Sequence, residues 1–119
     1  LKYMKIKEII EITQATVYNC PDYEFEVFYT FASDLMSDVL LHGSNYSDIA
    51  LLVTGLNNPQ VIRTAEVLDL KAILLVRGKK PSEELINLAK ENNIILLSTE
   101  FGMYKACGEL YKHNLKPLF

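Results

Sequence analysis

The chain has 119 residues, half of them hydrophobic and 23% charged, with a formal net charge of −3. That size accommodates one domain with a real core, and the acidic balance argues against a broad phosphate-backbone footprint, so nucleic acid is not an expected partner. No apolar run approaches the roughly 20 residues that span a bilayer, and the opening Leu1-Lys2-Tyr3-Met4-Lys5 lacks a signal peptide's apolar segment, so a cytoplasmic protein with no membrane attachment is expected.

Lys5–Thr13 places Ile6, Ile9, Ile10 and Thr13 at helical spacing, which predicts an opening amphipathic helix. Ala15–Tyr18 reads as a short strand, and Asn19–Tyr23 as a turn around Pro21. In the next strand Phe25, Val27, Tyr29 and Phe31 share one face, while Glu24, Glu26, Phe28 and Thr30 share the other. Ser33 suits an N-cap and Asp34 the positive end of a helix running to about His42. Gly43 then fits a left-handed position after that helix, followed by a surface loop to Ser47.

From Ile49 onward one phrase recurs three times: an apolar run, a small polar turn, then a helix-period stretch. The runs are Ile49–Thr54, Ala72–Val76 and Ile94–Leu97, without internal alternation, as expected of strands buried on both faces. Asn58-Pro59 opens the first following helix, with Val61, Ile62, Ala65 and Leu68 inward. Lys80-Pro81-Ser82-Glu83-Glu84 opens the second, with Leu85, Ile86, Leu88 and Ala89 inward, and Asn92-Asn93 stops it. Ser98-Thr99-Glu100 caps the last, which runs to about His113 with Tyr104, Cys107, Leu110 and Tyr111 on its apolar stripe. Gly108 inside this helix points to close packing there. The expected fold is α/β, three-layered, with a mostly parallel central sheet and helices on both faces. A single domain over residues 4–113 is followed by a tail, 114–119, whose Leu118-Phe119 suits docking on this chain or on a partner.

In such sheets ligands bind beyond the carboxyl ends of the strands, so the turns Thr54–Asn58, Arg77–Lys80 and Ser98–Glu100 are where function is sought. Gly55 lets a ligand approach backbone N–H groups, with Asn57 and Asn58 beside it, although turn-making and capping explain these residues without a ligand. Neither a G-x-G-x-x-G fingerprint nor a lysine-bearing P-loop is present. Arg77-Gly78-Lys79-Lys80 offers cations for phosphate or carboxylate, or equally a solubilising turn. Ser98 and Thr99 offer hydroxyls, with no predicted histidine nearby to activate a nucleophile. Asp34, Asp38 and His42 have the spacing to share a metal, but a solvated helix face explains them more simply and no metal or cofactor is assigned. Cys20 and Cys107 stand too far apart for a recognisable zinc or cluster motif; only a dimer would bring four thiols together.

Three segments carry a family resemblance: Lys5-Ile6-Lys7-Glu8-Ile9-Ile10, Ala32-Ser33-Asp34-Leu35-Met36-Ser37-Asp38-Val39-Leu40, and Ile95-Leu96-Leu97-Ser98-Thr99-Glu100 with Tyr104-Lys105-Ala106-Cys107. Together they resemble the DRTGG domain, related to the N-terminal domain of HPr kinase/phosphorylase, and in particular its small stand-alone members associated with iron-only hydrogenase systems. The name-giving Asp-Arg-Thr would fall near Thr54–Asn58, where this chain has Gly55-Leu56-Asn57-Asn58; the Thr-Gly-Gly would fall at Val76-Arg77-Gly78, with one glycine. The resemblance implies that α/β fold, a non-catalytic regulatory role and dimerisation.

The function expected is therefore a regulatory, ligand-sensing or protein-interaction module without catalysis. Its candidate set for a small anionic metabolite or nucleotide is Ser33, Asp34, Gly55, Asn57, Asn58, Arg77, Gly78, Ser98 and Thr99. A homodimer and a protein partner are the expected assemblies, the aromatic residues Phe28, Tyr104 and Tyr111 being suited to an interface. The alternative is a small phosphoryl- or acyl-transfer enzyme, using Asp34 or Glu100 as base and Arg77 or Lys79 as clamp.

Overall fold

The computed structural model of the protein describes residues 2–43 and 45–119. In chain order its elements are β1 (Met4–Lys5), α1 (Ile6–Thr13), β2 (Thr16–Asn19), β3 (Glu26–Val27), β4 (Tyr29–Ala32), α2 (Met36–His42), a 3₁₀ turn (Ser47–Ile49), β5 (Ala50–Thr54), α3 (Gln60–Leu68), β6 (Ala72–Leu75), α4 (Glu83–Glu91), β7 (Ile95–Ser98), α5 (Met103–Lys112) and β8 (Lys116–Pro117). Six strands form one sheet in the order β2-β7-β6-β5-β4-β8, while β1 and β3 form a separate ribbon. β4 through β7 and β8 are parallel to their neighbours, and β2 closes one edge antiparallel to β7.

The absence of alternation in the three apolar runs has its cause in the layers. Leu52, Ile73, Leu75 and Leu96 face a core made with Met36, Val39, Val61, Ile62, Leu85 and Ala89 of α2, α3 and α4. Leu51, Val53, Leu74 and Leu97 face the opposite core, with Ile6 and Ile9 of α1 and Ala106 and Leu110 of α5. Successive residues of a strand point to opposite faces, and here both faces are covered. Burying each of these leucine or isoleucine side chains contributes about 1.5–3 kcal/mol. The expected three-layer α/β architecture is the observed one.

The strand expected over residues 25–31 breaks at Phe28. β3 pairs with β1 through Val27 and Met4, whereas β4 pairs with β5 from Tyr29 onward. Phe28 donates its N–H to the Ile49 carbonyl at 2.8 Å, at the crossing between the two sheets. As a result Phe25 and Val27 pack into one core, and Tyr29 and Phe31 into the other, instead of sharing a face.

Other local expectations also change. α2 begins at Met36, not Asp34, because Ser33 turns the chain by accepting the Leu35 N–H at 3.1 Å and gives no cap to the helix. Gly43 is extended (φ −60°), not left-handed; a Cβ there would collide with the Leu68 side chain, so helix packing explains the glycine. Of the loop 43–47, Ser44 lies outside the described residues. α5 begins at Met103 with Gly102 as its cap residue, because the Thr99 and Phe101 carbonyls accept N–H groups from Gly78 and Arg77 and hold residues 99–101 out of the helix. Gly108 faces open space, with nothing within 4 Å of a built Cβ, so close packing does not account for it. Tyr104 is 94% exposed and does not belong to the inward stripe.

The tail lies on this chain. Leu115 is buried, Lys116–Pro117 add a parallel strand beside β4, and the Leu118 N–H bonds the Thr30 carbonyl at 2.9 Å. Phe119 packs its ring against Phe31 and His42, with centroids 6.2 and 5.0 Å apart.

Candidate functional site

Parallel register sets the rim. Ala32 pairs with Val53, Thr54 with Leu75, and Leu75 with Ser98, so the turns after β4, β5, β6 and β7 leave the same end of the sheet. Asp34, Gly55 and Arg77, each from a different turn, meet there. The Gly55 N–H donates to Asp34 Oδ1 at 2.6 Å, and Arg77 Nη2 donates to Asp34 Oδ2 at 3.2 Å. Thr54 Oγ1 stands 3.5 Å from the same Oδ1 and accepts the Leu56 N–H at 3.1 Å, which shapes the turn. The Gly55 N–H, aided by the Arg77 charge and the Thr54 hydroxyl, holds the Asp34 carboxyl below its ordinary pKa against the opposing effect of burial.

Arg77 has φ 66° and Gly78 φ 67°, two successive left-handed residues. That conformation costs a non-glycine residue roughly 1–2 kcal/mol. It carries the Arg77 guanidinium back over Gly55, where a Cβ would collide with it. Gly55 thus admits a side chain of the protein itself to its open face. At Gly78 a Cβ would meet Glu100 Oε2 at 2.5 Å, so the Glu100 carboxylate lies over this second glycine. Glu100, expected in the cap of the last helix and as a base in the enzyme alternative, instead places its carboxylate against the Arg77–Lys80 turn.

The remaining candidates have structural partners. Ser98 and Thr99 are buried; Ser98 Oγ donates to the Lys79 carbonyl, and Thr99 Oγ1 to the Thr13 carbonyl, both at 2.6 Å. Thr99 Oγ1 also accepts the Phe101 N–H at 3.1 Å. These hydroxyls tie the Arg77–Lys80 turn and the end of α1 to the rim instead of capping α5. Asn57 Nδ2 donates to the Lys80 carbonyl at 2.9 Å, while its buried Oδ1 has no partner among the described residues. Asn58 Oδ1 accepts the Gln60 N–H at 2.9 Å, so it does cap the opening of α3. Arg77, Lys79 and Lys80 are all exposed.

Beside Ser33 the rim opens into a cavity of about 240 Å³ lined by Phe31, Ser33, Asp38, His42 and Phe119 among others. No local sequence pattern marks this cavity, because its wall joins β4, α2 and the tail. A larger cavity, of about 440 Å³, lies between Asp48 and Asp69, away from the rim. Asp34 turns away from Asp38 and His42 to meet Gly55, and among the described residues no three His, Cys, Asp or Glu side chains form a group able to hold a metal.

No protein-family model matches the chain, and no curated protein matches it. Among solved structures it is similar to the CBS and DRTGG domains of the regulatory region of Clostridium perfringens pyrophosphatase, complexed with the activator diadenosine tetraphosphate. The TM-score is 0.70 at 20% sequence identity, over 92% of this chain and 46% of that one. The chain thus spans less than half of that structure. At this identity the likeness shows the fold, which is shared with a regulatory region containing a DRTGG domain. None of the described helices is long and apolar enough to cross a membrane.

Proposed function

We propose that this chain is a non-catalytic regulatory module that senses a small anionic metabolite or nucleotide at the rim formed by Asp34, Gly55 and Arg77. The observation that carries the reading is that Gly55 N–H and the Arg77 guanidinium already hold a carboxylate, at 2.6 and 3.2 Å. A backbone N–H and a guanidinium are also the donors that bind phosphate oxygens. Lys79 and Lys80 add exposed positive charge on the same turn. The cavity beside Ser33, with Phe31, His42 and Phe119 in its wall, gives space for a ring carried by the same ligand. The nucleotide bound in the pyrophosphatase region makes dinucleotide polyphosphates a reasonable probe, although that region contains CBS domains as well.

The structural partners of the rim side chains support reading them as binding groups. The Ser98 and Thr99 hydroxyls donate to backbone carbonyls, and Asp34 is paired with Arg77. A homodimer in the cytoplasm is the assembly and setting we propose. Exposed Tyr104 and Tyr111 on α5, and Leu41 and Val67 on α2 and α3, are surfaces available for a second copy or a protein partner. The resemblance to members associated with iron-only hydrogenase systems makes redox metabolism the proposed context.

Thermal-shift and calorimetric titration with pyrophosphate, mononucleotides and diadenosine tetraphosphate tests the sensing role. Ligand at ten times Kd stabilises by about 1.4 kcal/mol, a shift of several degrees in a domain of this size. Stabilisation that disappears in Arg77→Ala is the expected result. No response to any of these at millimolar concentration, or a response indifferent to Arg77→Ala, contradicts the reading.

A further inference from the structure

We infer that Asp34 is the rim's resident anion: its carboxylate occupies the place an incoming phosphate or carboxylate must take, so Asp34 opposes ligand binding instead of assisting it. This rests on the rim being the anion site proposed above.

The geometry gives the reason. Asp34 comes from the β4–α2 turn, 21 residues from Gly55 and 43 from Arg77, and uses one oxygen for each. The donors are a backbone N–H in mid-turn and a guanidinium, four or more residues away from the first residue of α3, so the arrangement is not a helix end. The guanidinium lies directly over Gly55. An external anion cannot reach both donors while the carboxylate remains, since two like charges would share one position. Entry therefore requires the carboxylate to leave, and the energy of its two charge-assisted contacts is subtracted from the ligand's affinity.

Displacement also has a path into the fold. Asp34 stands between Ser33, whose Oγ accepts the Leu35 N–H at 3.1 Å, and Met36, the first residue of α2. Leu35 is exposed and its carbonyl accepts the Asp38 and Val39 N–H groups of the first helical turn. Release of Asp34 loosens that turn, so occupancy of the rim is reported at the start of α2.

Calorimetric titration of pyrophosphate into the wild-type chain, Asp34→Asn and Arg77→Ala tests this. Asparagine retains an oxygen for the Gly55 N–H and removes the charge. The expected result is binding about ten-fold tighter in Asp34→Asn, the order of one lost charge-assisted contact, and loss of binding in Arg77→Ala. Equal or weaker binding in Asp34→Asn, with the wild type still binding through Arg77, overturns the inference and leaves the rim site intact. No binding by the wild type or by Asp34→Asn overturns both. Should Asp34→Asn fail to fold, carboxyl ¹³C spectra of the wild type decide: pyrophosphate must move the Asp34 signal to that of a free carboxylate, and an unchanged Asp34 signal overturns the inference.

Discussion

Arg77 adopts a backbone conformation that glycine would adopt at less cost, and its half-exposed ion pair with Asp34, of the order of 1 kcal/mol or less, offsets part of the difference. Gly55 is the other half of this arrangement. In Gly55→Ala the atoms nearest the added methyl belong to the end of the Arg77 side chain, a flexible group that can swing away. Its melting temperature is therefore expected to stay within a few degrees of the wild type, whereas pyrophosphate binding by calorimetry should fall because the guanidinium has lost its place. Thr99 differs in kind, since its buried hydroxyl bonds the Thr13 carbonyl and the Phe101 N–H. Thr99→Val leaves both unpaired and is expected to cost about 1–3 kcal/mol in chemical denaturation. Glu24 gives a pH test: pairing with Lys7 first, then Lys5, lowers its pKa to about 2. Its folded value lies below its unfolded one, so its contribution is complete above the ordinary glutamate value of 4.5 and is lost as pH falls from there toward about 2. Stability measured in Glu24→Gln should lack this part of the acid slope.

At the scale of elements, the strands were legible wherever burial on both faces left an unbroken apolar run, as in Leu51–Val53, Ile73–Leu75 and Ile95–Leu97. The break at Phe28 was not, because the alternation of residues 24–31 continues through it. What ends β3 is a partner supplied by Met4 and Lys5, far away in sequence. The location of the rim followed from the parallel order of strands. Its internal bonds did not, since Ser33, Ser98 and Thr99 have the composition of helix caps and long-range or turn partners took their hydroxyls instead. Packing of α5 against the sheet also affects Cys107, whose thiol burial pushes above its usual pKa. Alkylation of Cys107 at neutral pH is expected to be slow in the folded chain and to approach that of a free thiol only on unfolding. Rapid reaction in the native state would show that α5 is more loosely seated than its core contacts indicate.

Across the whole molecule, two cores hold four successive parallel strands in register, and that register is why Asp34, Gly55 and Arg77 meet although they are distant in sequence. The fold is shared with a regulatory region that contains a DRTGG domain, and the proposed sensing role depends on the rim acting as one site. The most direct test is an amide-resolved NMR titration of the wild-type chain with pyrophosphate. The account predicts saturable shifts concentrated at Gly55, Arg77, Gly78 and the start of α2, with the Asp48–Asp69 end of the molecule unmoved. Shifts confined to that far end, or spread without saturation over the exposed lysines, would contradict it.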